Sequence, residues 1–232
     1  VATIDVVIPA RNEERSLPLV MAAIPRPPVR RIVVCDNGST DGTARVARQG
    51  GAEVVSERRP GYGSACLAAL AHLRGNDPPE IVVFLDADYS DQPEELPAII
   101  APIVEGRAEL VIGSRVLGKR ERGALLPQAR AGNLVACLLI RALYGHRYTD
   151  LGPFRAIRWA ALERLEMRDP DFGWTAEMQV KALRHHLPVH EVPATYRRRV
   201  GVSKITGTLR GTVLAGVKIL TTVLRYSWPR RA

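Results

Sequence analysis

The sequence predicts an α/β fold: a mainly parallel central sheet with helices on both faces and an amphipathic helical tail. Short β-branched runs alternate with helical patterns at intervals of roughly 25 residues through the first half of the chain, which calls for right-handed β-α-β crossovers. Two of those runs end in acidic clusters, Val33-Val34-Cys35-Asp36-Asn37-Gly38-Ser39 and Ile81-Val82-Val83-Phe84-Leu85-Asp86-Ala87-Asp88. With 232 residues, 46% of them hydrophobic, the chain can bury one large core.

The elements follow in order. Residues 4–8 read as a strand ended by Pro9, then a polar turn over 11–14 and a helix up to about Ile24. Residues 31–35 form a second strand, 41–49 a helix, 53–56 a short strand, 63–74 an Ala/Leu-rich helix and 81–85 a fourth strand. After Gly113-Ser114-Arg115 the pattern changes. A basic stretch over 119–122 leads into a helix over 128–144, a loop with Asp150, Gly152 and Pro153, and helices over 159–165 and 175–184. A late strand is expected over 191–196 and an amphipathic helix, or two shorter ones, over 205–228. These divide the chain into a unit over 1–204, whose first part, 1–115, reads as a nucleotide-binding half followed by a second half over 116–204, and a helical tail over 205–232.

The formal net charge of +9 implies an anionic partner without choosing among nucleic acid, phosphorylated metabolites and a membrane surface. Aromatic residues make up only 5%, too few for the stacking platforms of single-strand recognition, so nucleic acid is not expected. Cys35, Cys66 and Cys137 are widely spaced among apolar or small residues and form neither a disulfide framework nor a zinc set. The chain opens directly into a strand pattern, with no basic leader and apolar segment, so a cytoplasmic protein is expected. No uninterrupted apolar stretch, 134–140 included, approaches the ~20 residues that span a bilayer. Nothing in the sequence fixes an oligomeric state.

A carboxylate where an apolar strand meets solvent sits at the carboxyl edge of the sheet, where open α/β folds bind ligands. Asp86 and Asp88 are two residues apart, on one face of a continuing strand or convergent in a turn, an arrangement suited to a hard cation. Pro9-Ala10-Arg11-Asn12-Glu13-Glu14 puts polar groups in the same crevice, although a solvated helix start explains it almost as well. Asp36 suits a base or ribose contact, and helix capping accounts for Asp41. Gly61-Tyr62-Gly63 permits close backbone approach to a ligand or forms a plain turn. Asp91, Glu94 and Glu95 are expected as surface or capping residues around Pro93, and His185 and His186 as helix-end residues.

Taken together, Val7-Ile8-Pro9-Ala10-Arg11-Asn12-Glu13, Asp36 to Thr43, Asp86-Ala87-Asp88, Gly113-Ser114-Arg115, Asp150 to Arg155 and Arg199-Val200-Gly201-Val202-Ser203-Lys204 occur in an order that resembles family 2 glycosyltransferases of the GT-A fold, a Rossmann-like architecture. Within that family the chain is most similar to the polyprenyl-phosphate hexosyltransferases. The resemblance implies a nucleoside diphosphate sugar donor, UDP- or GDP-hexose, contacted by Pro9, Ala10, Arg11, Glu13, Asp36, Gly63, Asp86, Ala87 and Asp88. It implies Mg²⁺ or Mn²⁺ on Asp86 and Asp88, where a cation offsets charge on the departing diphosphate. It implies a phosphate or acceptor set of Arg115, Arg155, Arg197, Arg199, Ser203 and Lys204, and catalytic roles for Asp88, Arg115 and, as a general base, Glu177.

Four positions depart from the family pattern: Asn37 replaces an Asp, Tyr62 a Lys between two glycines, Ser90 a Gln, and Leu151-Gly152-Pro153-Phe154-Arg155 stands where Ser-Gly-Phe-Arg is usual. The expected activity is metal-dependent, inverting transfer of glucose or mannose to a polyprenyl phosphate. The alternative is transfer to a soluble acceptor, a phosphorylated small molecule or saccharide. For the tail, Leu209, Val213, Val217, Leu220 and Leu224 are expected on one face and Arg210, Lys218 and Arg225 opposite. Such a helix either lies at the inner face of the cell membrane or packs on the catalytic unit.

Overall fold

The structure, a computed structural model, describes residues 2–201 and 209–227. Seven strands, β1 (Ile4–Ala10), β2 (Val29–Asp36), β3 (Glu53–Ser56), β4 (Ile81–Phe84), β5 (Leu110–Ser114), β6 (Arg155–Arg158) and β7 (Val189–Pro193), form one sheet in the order β3-β2-β1-β4-β6-β5-β7. All neighbours are parallel except β6, which runs antiparallel to both β4 and β5. The helices are α1 (Leu17–Ala23), α2 (Thr43–Gln49), α3 (Tyr62–Gly75), α4 (Leu96–Val104), α5 (Pro127–Tyr144), α6 (Trp159–Leu165), α7 (Trp174–Arg184) and α8 (Leu209–Ser227).

The strands are apolar on both faces because helices cover both. On one face Val7, Val33, Cys35, Val82, Phe84, Leu110, Ile112 and Ile157 pack beneath α3, α5, α6, α7 and α8. On the other, Val6, Ile8, Ile32, Val34, Ile81, Val83, Val111 and Ala156 pack beneath α1, α2 and α4. The alternation within each strand is the period of two that a pleated backbone imposes. Asp5 departs from this pattern: fully buried in β1, it accepts paired hydrogen bonds from Arg30 (2.8 and 2.9 Å) and Arg31 (2.7 and 3.0 Å). All three cysteines are buried free thiols.

Three elements go beyond the sequence expectation. Helix α4 carries Pro102 inside it, while β5 and β6 are short; β6 both begins and ends with arginine and offers little strand signal. The expected late strand lies earlier, at Val189–Pro193, and Tyr196 makes isolated bridges to Asp91 and Arg120 instead. The tail helix packs on α5 and α7. It does so through Ala215, Ile219, Leu220, Thr222, Val223 and Tyr226, while Val217 and Leu224 of the expected apolar face stay exposed. Lys218, expected on the outer cationic face, pairs with Asp169. The side chains of Leu209, Arg210 and Val213 lie outside the described residues. Among the described residues no helix is long and apolar enough to cross a membrane.

Candidate active site

A cleft of about 370 Å³ opens at the carboxyl ends of β1, β2 and β4, lined by Pro9, Ala10, Arg11 and Glu13, by Asn37, by the turn over 60–62, by Asp86, Ala87 and Asp88, and by Asp171, Phe172 and Arg199. The first two motifs close around one another. Asn12, at a φ of 54°, accepts at Oδ1 from Thr40 N at 2.7 Å and donates its backbone N–H to Ser39 Oγ at 2.9 Å. Glu13 N donates to Thr43 Oγ1 at 2.8 Å, and the Glu13 carboxylate accepts from Ser16 Oγ at 2.6 Å. The two loops thus supply each other's hydrogen bonds and hold the crevice edge in one shape. Asp36 caps its turn by accepting from Ser39 N at 3.1 Å and does not line the cleft, whereas its neighbour Asn37 does. Asn37 donates to the carbonyls of Glu57 and Arg59 and accepts from Gly61 N at 2.9 Å. Two carbonyl acceptors need an amide there, which is a physical reason for Asn in place of Asp.

Gly63 is expected at a donor contact, and the structure gives it another partner. A Cβ at Gly63 would lie 1.9 Å from the carbonyl oxygen of Asp169, and one at Gly61 would lie 2.1 Å from that of Pro170. Both glycines admit another stretch of protein backbone. Between them Tyr62 turns a buried hydroxyl inward, without a hydrogen-bond partner among the described residues. Burial first, and then the charge of Asp86, pushes its phenol well above the usual range.

The acidic turn after β4 is the electrostatic centre. Asp88 Oδ1 accepts from Ser90 N at 2.9 Å and Ser90 Oγ at 2.5 Å, and Oδ2 pairs with Arg199 at 3.0 Å. Tyr89 takes a left-handed φ of 60°, a strained setting for an aromatic residue of the kind found where a site demands it. Arg197 stacks 4.0 Å above its ring. Burial and then the neighbouring Asp88 raise Asp86 to about 7. Asp91, expected at the surface, is instead buried, with neither carboxylate oxygen hydrogen-bonded among the described residues. Burial, Asp86 and Asp88 push it well above the ordinary carboxylate range. Three carboxyl groups crowded into a low-dielectric site favour a cation, and Arg199 provides the one seen on Asp88. The donors are all oxygen, which fits Mg²⁺ or Mn²⁺, with Asp86 and Asp88 the residues that would hold it. Among the described residues no group of three His, Cys, Asp or Glu side chains is arranged to bind a metal by itself.

The expected acceptor residues disperse. Arg115 donates to both oxygens of buried Asp150, at 2.7 and 2.8 Å, and lies 5.1 Å above the Tyr196 ring. Arg155 is fully buried: its guanidinium donates to the carbonyls of Leu151, Gly152 and Thr175, and burial lowers it to about 10. It holds the 151–152 loop against α7 and does not line the cleft, a correction to its expected role. Arg197 pairs with Glu94 at 3.5 Å, and of the basic set Arg199 alone among the described residues lines the cleft. Ser203 and Lys204 lie outside the described residues. Glu177 is also displaced from the expected role of base. It is fully buried, accepts from Asp169 N at 2.7 Å, from both-sided contact with Arg168 N at 3.1 Å and from Tyr226 Oη at 2.7 Å, and pairs with Lys181 at 2.7 Å. The cleft residues Asp171 and Phe172, which belong to none of the sequence motifs, follow directly from the loop that Glu177 anchors.

The chain is similar to known proteins in sequence and in fold. The glycosyl transferase family 2 profile matches residues 5–165. An uncharacterized glycosyltransferase of Mycobacterium tuberculosis is 40% identical over 214 residues, covering 91% of this chain and 94% of that protein. A dolichyl-phosphate hexose transferase of Haloferax volcanii is 34% identical over 202 residues, covering 86% and 85%. The crystal structure of glucosyl-3-phosphoglycerate synthase from Mycobacterium tuberculosis in complex with Mn²⁺, UDP and phosphoglyceric acid is similar at a TM-score of 0.77 and 25% identity, covering 100% of this chain and 80% of that one.

Proposed function

The chain belongs to glycosyl transferase family 2, and from that premise we propose that it transfers a hexosyl unit from UDP-hexose to a phosphorylated small molecule, with inversion at the anomeric carbon and with Mn²⁺ or Mg²⁺ on Asp86 and Asp88. The observation that carries this reading is the crowded carboxyl group set at the end of β4, balanced by Arg199 on Asp88 at 3.0 Å. Its similarity to a synthase crystallised with Mn²⁺, UDP and phosphoglyceric acid supports both the donor and the acceptor class.

When bound, the cation supplies charge stabilisation for the departing diphosphate. The protein's own residues do the remaining work. The interlocked loops around Asn12 and Thr40 fix the crevice edge that receives the nucleotide. Ser90 orients Asp88 through two hydrogen bonds, leaving its other oxygen toward Arg199. Arg199 pairs with Asp88 at 3.0 Å and lines the cleft, where its guanidinium would meet an anionic oxygen of donor or acceptor. Positioning and charge stabilisation account for most of the rate in such a site. A hydroxyl of a phosphorylated acceptor must give up its proton on attack, and Glu177, engaged by Asp169 N and Lys181, is not free to take it; a phosphate oxygen, as in a polyprenyl phosphate, is ionised near neutral pH and needs no such base.

A second reading, transfer to a polyprenyl phosphate, is favoured by one specific observation. Leu134, Val135, Leu138 and Leu143 of α5 are exposed, at 58%, 50%, 51% and 42%, beside Arg130 and Arg141. An exposed apolar face rimmed by arginines suits peripheral contact with an anionic membrane. The test is a donor panel of UDP-, GDP- and dTDP-hexoses, each offered phosphoglycerate, other small phosphates and a short polyprenyl phosphate. Turnover with a water-soluble phosphate supports the first reading. Turnover confined to the polyprenyl phosphate, with salt-sensitive co-sedimentation on anionic liposomes, replaces it with the second.

A further inference from the structure

The segment 169–173 is held between the start of α3 and the tail helix α8, and its middle residues face the cleft. On one side the Pro170 carbonyl accepts from Ser64 N at 2.8 Å and from Ser64 Oγ at 3.1 Å. On the other, Lys218 Nζ of α8 pairs with Asp169 Oδ2 at 3.1 Å, while Asp169 Oδ1 accepts from Asp171 N at 2.8 Å. Asp169 is buried, so this lysine is its counter-ion, and the fit is close: a Cβ on Gly173 would lie 2.4 Å from both Asp169 Oδ2 and Thr222 Oγ1. From this frame Asp171 and Phe172 project to the cleft wall, in the same cavity as Asp86, Asp88 and Arg199.

We infer that Asp171 and Phe172 recognise the donor, Asp171 accepting hydrogen bonds from a vicinal diol and Phe172 covering an apolar face, and that Lys218 is the positioning residue that sets this wall. A carboxylate is repelled by a diphosphate, so Asp171 is matched to the hydroxyl-bearing parts of the donor, ribose or hexose. A charge-assisted hydrogen bond to a diol is strong and directional, and its strength depends on where the loop is held. The tail helix therefore contributes to donor binding through a contact distant in sequence. The inference rests on the proposed reading that the cleft takes UDP-hexose.

The test is calorimetric titration of the full chain with UDP-glucose and with UDP, both with Mn²⁺, for the wild type, Lys218→Met, Lys218→Arg and Asp171→Asn, beside their melting temperatures. Lys218→Met and Asp171→Asn should each raise the UDP-glucose Kd about tenfold, with Lys218→Arg restoring most of the loss. Equal weakening of UDP assigns the diol to the ribose, and weakening of UDP-glucose alone assigns it to the hexose. Wild-type binding with an unchanged Kd in both Asp171→Asn and Lys218→Met overturns the inference, even if Lys218→Met melts lower. Failure of the wild type to bind UDP-glucose overturns the underlying reading instead.

Discussion

Glu177→Gln separates a structural carboxylate from a catalytic base, and the structure sets the size of the effect. Glu177 is fully buried and surrounded by donors on both oxygens: Asp169 N at 2.7 Å and Arg168 N at 3.1 Å, Tyr226 Oη at 2.7 Å and Lys181 Nζ at 2.7 Å. Whichever way the glutamine amide turns, its NH₂ group meets another donor. The Lys181 ammonium, whose side chain is only 10% exposed, loses its counter-ion. Breaking a buried pair by removing one partner costs about 3–5 kcal/mol, which for a chain of this size lowers the melting temperature by roughly 6–20 °C. Removing the stranded ammonium as well, in Glu177→Gln/Lys181→Met, should recover part of that loss. The assay pairs thermal melting with turnover at saturating donor and acceptor, measured well below the transition. The expected result is a large drop in melting temperature with a modest loss of turnover. A melting temperature near wild type with turnover reduced by about 10²-fold or more would mark Glu177 as a base and refute the reasoning.

Gly63→Ala drives a methyl group to within 1.9 Å of the Asp169 carbonyl oxygen, so backbone must move. Overpacking of this kind costs about 1–3 kcal/mol, and donor titration should show weaker binding because the displaced segment carries Asp171 and Phe172. The acid–base state of Asp86 sets the pH dependence. Its carboxyl is raised from 3.8 to about 7, so without a cation the folded protein holds the proton across that window and loses stability as pH rises through it. Cation binding must expel that proton, so the Mn²⁺ Kd should fall about tenfold per pH unit below about 7 and level off above it, as titration calorimetry across the range would show. Asp36→Ala should raise the UDP Kd about fivefold equally with and without Mn²⁺, because it removes the cap on Ser39 N that holds the Asn37 turn at the cleft edge, while the cation pair follows β4. A loss seen only with Mn²⁺ would move Asp36 into the cation site.

The legible parts of this site were those whose roles follow from local chain geometry. A β-branched run ending in Asp86-Ala87-Asp88 places carboxylates at a sheet edge regardless of what surrounds them, and both line the cleft. Pro9 to Glu13 are legible for the same reason. The residues misread owe their roles to partners far away in sequence. Asp91 looks like a surface residue before Pro93, yet the 196–200 segment folds over it: Tyr196 bridges to Asp91, and Val200 N donates to the Asp88 carbonyl at 2.9 Å. Arg155 looks like an acceptor cation, but the antiparallel β6 carries it into the core against α7. On a helical wheel Lys218 sits opposite the leucines of the tail. A wheel cannot show that the buried stripe of α8 runs along Ala215, Thr222 and Val223, where the small residues let it approach closely and bring Lys218 onto Asp169.

The most direct test of the central claim, that the carboxyl groups after β4 hold a divalent cation for the donor diphosphate, is UDP-hexose titration and transfer with Mn²⁺ and with EDTA, on the wild type and Asp88→Asn. The account predicts that EDTA and Asp88→Asn each reduce transfer by about 10²-fold or more and weaken donor binding, and that Mn²⁺ restores neither in the variant. Full donor binding and transfer in EDTA would contradict it.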